Sequence, residues 1–355
     1  MKTYPKILYL SWNDGSDTRI FKEVSTLVRS GAKVIFLGVG TDQASCFVSR
    51  IKPEKLYFVR AKRKSLLGFV RYFGWAAFLL IRHRYHSIHV VNEPQLLMLW
   101  PLLWGHRRVI VDIFDSVFLR RDLPGNRLRI LKKCLFLPVD QFFVTDENRF
   151  KLMPDNLKYK TRILPNFTPH YKGEMQKITN SELTILYSGC LAKNRGTELI
   201  KGFLSSGLPL KVLAAGWVVD QETREVLTHP NVTWLGVLPQ SEVIKIAATQ
   251  IDFILCLYAP VNQNNINASP NKIFDGIQSG TPVIINAETE VAEFVSRFGL
   301  GYVLPSFSMK DYWGLYQELL RFKKRYRPNL SLKLQTSWER VEKKLLYAHA
   351  LSPAE

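Results

Sequence analysis

Short apolar runs alternate with amphipathic segments along the whole chain. Runs such as Ile7–Leu10 and Ile251–Tyr258 have the length and apolar character of buried strands, and polar turns bound them. The segment Arg19–Ser30 is typical of the stretches between them, because its apolar residues recur every three or four positions and Gly31 follows it. Strands that alternate with helices in this way predict an α/β fold with parallel sheets.

The alternation restarts near the middle of the chain. A polar and irregular stretch at 168–182 divides it, and we interpret this stretch as a linker. The sequence therefore predicts two Rossmann-like domains, at 1–167 and 183–330, and a C-terminal helical segment at 331–355. A chain of 355 residues, of which 46% are hydrophobic, is long enough to bury two such cores.

The segment 267–284 is the most informative part of the sequence. It predicts a loop, a helix and a short strand, since Ser269 suits an N-cap, Pro270 a first helical position and Gly280 a C-terminal cap. At helical spacing the segment has one apolar side and one polar or small side. The apolar side holds Ile273, Phe274 and Ile277, and the other side holds Lys272, Asp275, Gly276 and Ser279.

That second side of the predicted helix has the chemistry of an anion site. The first N–H groups of a helix are free to bind an anion and lie at its positive dipole end. Lys272 adds a cation, Asp275 offers acceptors for ribose hydroxyls, and Gly276 leaves room for a ligand. A nucleoside diphosphate across the helix start would use all three. The alternative is an ordinary capped helix in which Lys272 and Asp275 form a solvated pair.

The order Ser-Pro-x-Lys-x-Phe-acid, followed by Ser-Gly-x-Pro-Val-Ile, resembles the donor-site signature of retaining GT-B glycosyltransferases, most similar to glycosyltransferase family four. That family has two glutamates separated by seven residues. Asp275 stands at the second position, and Asn267 stands at the first, which contacts the donor sugar. The resemblance implies two Rossmann-like domains facing each other across a cleft, and a last helix that crosses back to the N-terminal domain.

The resemblance also implies the reaction. A sugar would pass with retention from a nucleotide-diphosphate donor to an acceptor, with no metal and no cofactor. The loop Leu191–Thr197 resembles the one that grips the donor diphosphate, with Arg195 in the position of the arginine and Lys193 as a substitute for the missing lysine. A surface arginine is the alternative. The donor-binding residues implied are Gly15, Gly189, Lys193, Arg195, Asn267, Ser269, Asn271, Lys272 and Asp275.

Two further segments resemble the same family. The string Asp17-x-Arg19-x-x-x-Glu23 matches its first loop and helix, although an N-cap with an i,i+4 ion pair would give the same pattern. The strand Arg108–Phe114 matches less well, because Phe114 stands where the family usually has a histidine followed by an acid, and Asp115 is the nearest candidate to orient an acceptor hydroxyl. We expect three residues to act in catalysis: Asp115 by orienting the acceptor hydroxyl, and Arg195 and Lys272 by stabilising the leaving diphosphate. A helix cap is the alternative for Asp115.

The net charge of the chain points to the kind of partner that the protein binds. The formal net charge is +19, with 49 Lys and Arg against 30 Asp and Glu, which favours a polyanionic partner. The apolar helix predicted at 66–81 has basic residues at both ends and is too short to span a bilayer. A second apolar stretch follows at 96–104. Such helices suit an anionic membrane surface, and a core helix with basic ends is the alternative. The residues chosen for membrane and acceptor contact are Arg63, Lys64, Arg71 and Trp75.

Composition limits the remaining possibilities. Four scattered cysteines, with no metal-binding spacing, are expected to be reduced and mostly buried. The sequence opens directly into a strand, so we expect no signal peptide and a cytoplasmic protein at the inner face of the cell membrane. With the resemblance, this predicts a lipid-linked saccharide acceptor in cell-surface polysaccharide assembly. A non-catalytic GT-B scaffold is the alternative. A nucleic-acid-binding protein is disfavoured, because no recognition motif is visible.

Overall fold

The computed structural model describes residues 4–43, 46–62, 65–106, 108–175 and 182–351. The chain divides into two compact units, one formed by Met1–Pro165 with Val341–Glu355 and the other by Asn166–Arg340. Of the expected linker, residues 168–175 belong to the second unit, and 176–181 lie outside the described residues.

The first unit is built on one parallel sheet. Its strands are β1 (Lys6–Leu10), β2 (Lys33–Gly40), β3 (Lys55–Arg60), β4 (Ser87–Val91), β5 (Val109–Ile113), β6 (Gln141–Val144) and β7 (Thr161–Ile163). The seven strands lie in the order β3-β2-β1-β4-β5-β6-β7, which is a doubly wound topology. The helices between them are α1 (Thr18–Arg29), α2 (Leu66–Arg82), α3 (Pro94–Leu103), α4 (Val117–Arg120), α5 (Arg129–Leu135) and α6 (Glu147–Lys151).

The second unit repeats this plan with six strands. They are β8 (Leu183–Leu191), β9 (Leu210–Val218), β10 (Val232–Trp234), β11 (Phe253–Leu255), β12 (Val283–Asn286) and β13 (Gly301–Leu304), in the order β10-β9-β8-β11-β12-β13. The helices are α7 (Thr197–Ser205), α8 (Gln221–Val226), α9 (Gln240–Gln250), α10 (Gln263–Ile266), α11 (Asn271–Ser279), α12 (Ala292–Arg297), α13 (Tyr312–Arg325), α14 (Leu330–Gln335) and α15 (Trp338–Ala348). The last of these begins in the second unit and from Val341 onward is part of the first.

The predicted alternation of strands and helices is confirmed, and the differences are local. Strand β3 was not predicted; it lies at the sheet edge, where only Val59 is buried and the apolar signal is weak. The expectation that most cysteines are buried is wrong for half of them: Cys46 and Cys256 are buried, whereas Cys134 and Cys190 are exposed.

A buried network of charged side chains holds α1 against the first sheet. Arg19 makes a two-pronged bond to Asp112, with Nε 2.5 Å from Oδ2 and Nη2 2.8 Å from Oδ1. The same Nε lies 3.1 Å from Glu23 Oε1, which confirms the expected i,i+4 pair. Asp17 caps α1 by accepting from the Arg19 N–H, as also expected. Arg19, Glu23 and Asp112 are all fully buried, so two carboxyl groups share one guanidinium. Burial raises the pKa of Asp112 well above its usual value, and Glu23 raises it further while Arg19 opposes them.

Glu23, His89 and Asp112 lie close enough together to hold a metal ion. The Arg19 guanidinium contacts both carboxylates and supplies the positive charge that a metal would bring. Burial raises the pKa of Glu23, but Arg19 and a hydrogen bond from His89 outweigh burial and lower it to about 2. We therefore interpret this cluster as an ion network that stabilises the unit.

The chain beyond α15 joins the same network. His349 is fully buried, with Nε2 3.2 Å from His89 Nδ1 and Nδ1 2.7 Å from Ser87 Oγ. On its other side, the His89 ring has Nε2 3.2 Å from Glu23 Oε2. A continuous row of polar contacts thus runs from α1, through the sheet, to the C-terminal segment.

We expect acid to destabilise the first unit through His349. Burial lowers the pKa of His349 well below 6.5, and His89, His86 and Arg108 lower it further, while Glu23 opposes them. The unfolded chain therefore binds a proton that the folded chain rejects, so stability present above pH 6.5 is lost as the pH falls below it. The thermal midpoint, measured from about pH 8 to about pH 5, should fall more steeply for the wild type than for His349→Gln. Equal slopes would contradict this role.

Candidate functional site

Three segments of the second unit meet at the carboxyl ends of its strands. They are the last residues of β8, from Gly189 onward, the residue Tyr258 shortly after β11, and the first turn of α11 with Lys272. A Cβ added at Gly189 would lie 3.9 Å from Lys272 Cε, so the lysine stem passes beside this glycine. This edge is where open α/β sheets bind ligands.

Two cations converge on one aromatic ring at this edge. The Arg195 guanidinium carbon lies 4.0 Å from the Tyr258 ring centroid, and Lys272 Nζ lies 6.0 Å from the same centroid. Arg195 also donates from Nη2 to Asn265 Oδ1 over 3.2 Å. Among the described residues, no carboxylate lies within ion-pair distance of Lys272 or Arg195.

The lysine at this site is held in an environment that favours an added anion. Lys272 is only 8% exposed. Burial and the neighbouring Arg195 lower the pKa of Lys272. The Cys256 thiol lies in the same surroundings, but burial raises its pKa to about 12, so it supplies no negative charge at neutral pH. An anion bound between Lys272 and Arg195 would relieve the repulsion between them.

Asp275 is also buried, one turn after Lys272. Its Oδ1 accepts hydrogen bonds from Thr168 Oγ1 and from Gln240 Nε2, each over 2.7 Å. The alternative of a solvated Lys272–Asp275 pair is therefore wrong, because both residues are buried and Asp275 bonds to other groups. The expected role as an acceptor for ribose hydroxyls stays a prediction.

Two details of the predicted helix are wrong. The N-cap of α11 is Pro270 rather than Ser269, and no side chain caps it. Gly276 does not make room for a ligand, because a Cβ there would lie 2.7 Å from the Thr281 carbonyl oxygen and 3.1 Å from a Val283 methyl group. Gly276 therefore permits close packing of α11 on β12. The expected ending is confirmed, since Gly280 adopts a left-handed conformation with φ +67.

The asparagine-rich loop before α11 is folded on itself. It contains the short helix α10, which Asn262 caps by accepting from the Asn265 N–H. Asn267 is 7% exposed and donates from Nδ2 to the Gln263 carbonyl oxygen over 3.0 Å. Asn265 donates to the Ala259 carbonyl oxygen over 2.8 Å. These asparagines thus fix the loop beside Arg195, and Asn267 places an amide at the position where the resemblance implies an acid.

The structure does not bring every predicted donor residue to this place. Lys193 has an exposed side chain whose Nζ lies 3.3 Å from a carboxylate oxygen of Glu198 and 3.3 Å from one of Glu222. Its charge is therefore already paired. Sequence reasoning chose Lys193 for its position beside Arg195 and missed Tyr258, whose only signal was an aromatic residue at the end of a predicted strand.

Two of the predicted site residues, Gly15 and Asp115, lie in loops that follow strands of the first unit. Gly15 has φ +80, and a Cβ there would lie 2.8 Å from Cys46 Sγ, so the loop after β1 requires a glycine. Asp115 follows β5 and forms an ion pair with Arg120, and its N–H donates to Asn92 Oδ1 over 3.0 Å.

On α2 of the same unit, Arg71 and Trp75 are exposed. Arg63 and Lys64 lie outside the described residues.

The comparisons with known proteins agree on the fold. No protein-family model and no curated protein matches this sequence. The Anabaena protein HepE, solved with UDP and glucose, matches 98% of this chain and 100% of its own with a TM-score of 0.70 and 10% identity. The sucrose-phosphate synthase of Thermosynechococcus elongatus matches 98% of each chain with a TM-score of 0.66 and 15% identity. The lipopolysaccharide outer core galactosyltransferase WaaB matches 97% of this chain and 99% of its own with a TM-score of 0.60 and 13% identity.

These likenesses extend over nearly the whole chain at low identity, so they establish the fold. The predicted fold class, two Rossmann-like α/β units of the GT-B type, is confirmed. The reaction that this chain performs has to be inferred from its own residues.

Proposed function

We propose that this protein is a glycosyltransferase that moves a sugar, with retention, from a nucleotide-diphosphate donor to an acceptor, as in glycosyltransferase family four. The observation that carries the proposal is the pair Lys272 and Arg195, which converge on the Tyr258 ring with no carboxylate partner among the described residues. A diphosphate would supply the negative charge that these two cations do not find in the described part of the protein. The HepE structures with UDP and with UDP-glucose share this fold and support a nucleotide-sugar donor.

In the proposed reaction the two cations stabilise the leaving group. The bond between the anomeric carbon and the β-phosphate oxygen breaks, and the acceptor oxygen bonds to the same side of that carbon. The acceptor proton passes to the departing phosphate. Lys272, Arg195 and the N-terminal dipole of α11 would stabilise the charge on that phosphate, a role that a metal ion performs in other enzymes. We assign Asn267 to the donor sugar, Asp275 to the ribose and Asp115 to the acceptor hydroxyl.

The test of the donor site is a calorimetric titration of the full chain with UDP, GDP and their sugars. We expect micromolar affinity for one of the two nucleotides, and slow hydrolysis or transfer of the matching sugar. Binding without any turnover would favour a non-catalytic scaffold, an alternative consistent with the amide of Asn267 in place of an acid. Failure of every nucleotide to bind the folded protein would overturn the proposal.

We further propose that the first unit docks on an anionic membrane that carries a lipid-linked saccharide acceptor, in cell-surface polysaccharide assembly. Helices α2, α3 and α5 pack on one side of its sheet and contact each other in that order. Over residues 60–139 the sequence has fifteen lysines and arginines and only four carboxylates, of which Glu93 and Asp112 are buried. The outward apolar side chains of the three helices include Leu66, Leu67, Val70, Trp75, Phe78, Ile81, Leu97, Ile130 and Leu131.

A surface that is both apolar and cationic fits the headgroup boundary of an anionic bilayer. In the described part of the chain, every helix falls short of the length and apolarity needed to cross a membrane. Contact through the outer sides of α2, α3 and α5 is consistent with that finding. A cytoplasmic site of action at the inner face of the membrane is part of this proposal.

The double variant Trp75→Ser/Phe78→Ser should bind vesicles of phosphatidylglycerol at least about tenfold more weakly than the wild type, because two inserting aromatic side chains are removed. Co-sedimentation with vesicles measures this. Trp313→Ser is the matched control, since Trp313 is 62% exposed in the second unit. Equal loss in both variants, or tight binding to neutral phosphatidylcholine vesicles, would contradict the assigned surface.

A further inference from the structure

Tyr258 occupies a position between the site and the core of the second unit. Its ring centroid lies 4.0 Å from the Arg195 guanidinium carbon and 6.0 Å from Lys272 Nζ, so Arg195 is the cation that it contacts directly. A guanidinium that is stacked on a ring keeps its plane fixed, and its N–H groups then point outward from the edge of that plane. The Asn265 contact fixes one of these N–H groups.

The backbone of Tyr258 is itself held by one side chain. Asn286, which is fully buried at the end of β12, accepts the Tyr258 N–H at Oδ1 over 2.9 Å and donates from Nδ2 to the Tyr258 carbonyl oxygen over 3.0 Å. Two opposite hydrogen bonds to one residue fix its position along the chain. This matters because Tyr258 lies beyond the end of β11, where the sheet ladder no longer holds it.

Glu288 sets the orientation of that asparagine. Asn286 Nδ2 also donates to Glu288 Oε2 over 2.8 Å, which identifies the amide nitrogen. Glu288 in turn accepts the Phe307 N–H over 2.8 Å. Although burial raises the pKa of Glu288, hydrogen bonds from Phe307 and Asn286 outweigh burial and hold it below its usual value, so the carboxylate stays ionised.

We propose that Tyr258 is a positioning residue, which Asn286 fixes in place and whose ring holds the Arg195 guanidinium in the geometry that binds the donor diphosphate. The inference rests on the proposed function, because it concerns the same anion site. Tyr258 acts through Arg195 and makes no bond to the reacting atoms.

A double-mutant cycle tests this role. The affinities for inorganic pyrophosphate, UDP and GDP are measured by calorimetry for Tyr258→Leu, Arg195→Ala and the double variant. We expect Tyr258→Leu to weaken binding about tenfold in the wild-type background and to have no further effect once Arg195 is alanine. Tyr258→Phe keeps the ring and should retain affinity within about twofold. In a transfer assay the KM for the donor should rise and the KM for the acceptor should stay the same.

Each other outcome decides a different point. If Tyr258→Leu weakens binding equally in both backgrounds, or if Tyr258→Phe loses as much as Tyr258→Leu, the positioning role is overturned and the donor site stands. If the wild type binds none of the three anions, both the proposed donor site and this inference are overturned. If Tyr258→Leu does not fold, Tyr258→Met, which keeps an apolar side chain without a ring, replaces it in the same cycle.

Discussion

Replacing Lys272 by alanine is expected to weaken the binding of the preferred nucleoside diphosphate by about a hundredfold, because a buried charge-assisted contact is lost. Lys272 is 8% exposed, and no described carboxylate pairs with it, so its charge is available to a ligand. Turnover of the nucleotide sugar should fall by a further factor of about ten to a thousand, since the leaving phosphate gains negative charge in the transition state. Calorimetry and donor turnover measure the two effects separately.

Lys193→Ala is the matched control for this experiment. It removes the same charge from the same unit, but Lys193 is exposed and already paired with Glu198 and Glu222. We expect it to change nucleotide affinity by no more than about threefold. Equal losses for Lys193→Ala and Lys272→Ala would mean that nucleotide binding responds only to net charge, and the assignment of Lys272 to the donor site would be wrong.

Replacing Asp112 by asparagine is expected to lower the stability of the first unit by about 3 to 5 kcal/mol. The change removes one of the two carboxylates that contact Arg19 and disrupts its two-pronged bond, because an amide nitrogen cannot accept a hydrogen bond from the guanidinium. Breaking a buried ion pair from one side has a cost of this size. The thermal midpoint should fall by roughly 6 to 20 °C, measured by the loss of helical circular dichroism.

Asp115→Asn tests whether burial is the cause. Asp115 also forms an ion pair with an arginine, but its side chain is 36% exposed and that of Arg120 is 56% exposed. Water screens this pair, so we expect a loss of at most about 1 kcal/mol. A similar loss for both aspartates would show that Asp112 contributes no more than a surface pair.

The sequence predicted the part of the candidate site on α11 because its signals are local. An i,i+3 spacing sets which residues share one side of α11, and a glycine before a proline marks where the helix ends. Gly276 was misread for a physical reason. A small residue on a helix permits close approach of either a ligand or another part of the chain, and only the fold shows that β12 fills that space.

Contacts between distant segments were not predictable in this way. Arg19 and Asp112 are separated by 93 positions, and Ser87 and His349 by 262, so no periodicity connects them. Tyr258 was overlooked because a strand-end aromatic is common, and its importance depends on Arg195 stacking against it after folding. Lys193 was predicted as a phosphate ligand because its contacts with Glu198 and Glu222 form only in the folded chain.

The division of the first unit between the two ends of the chain has a consequence for its biogenesis. His349 is fully buried beside Ser87 and His89, so this core is incomplete until the segment after Val341 has left the ribosome. At about 5 to 20 residues per second, the nascent sheet waits roughly 10 to 40 s while the second unit is translated. During that interval the space beside Ser87 and His89 that His349 fills in the folded protein is unoccupied. Chaperones would therefore engage the amino-terminal portion of the nascent chain, and a frameshift near the 3′ end of the message would impair the part of the protein made first.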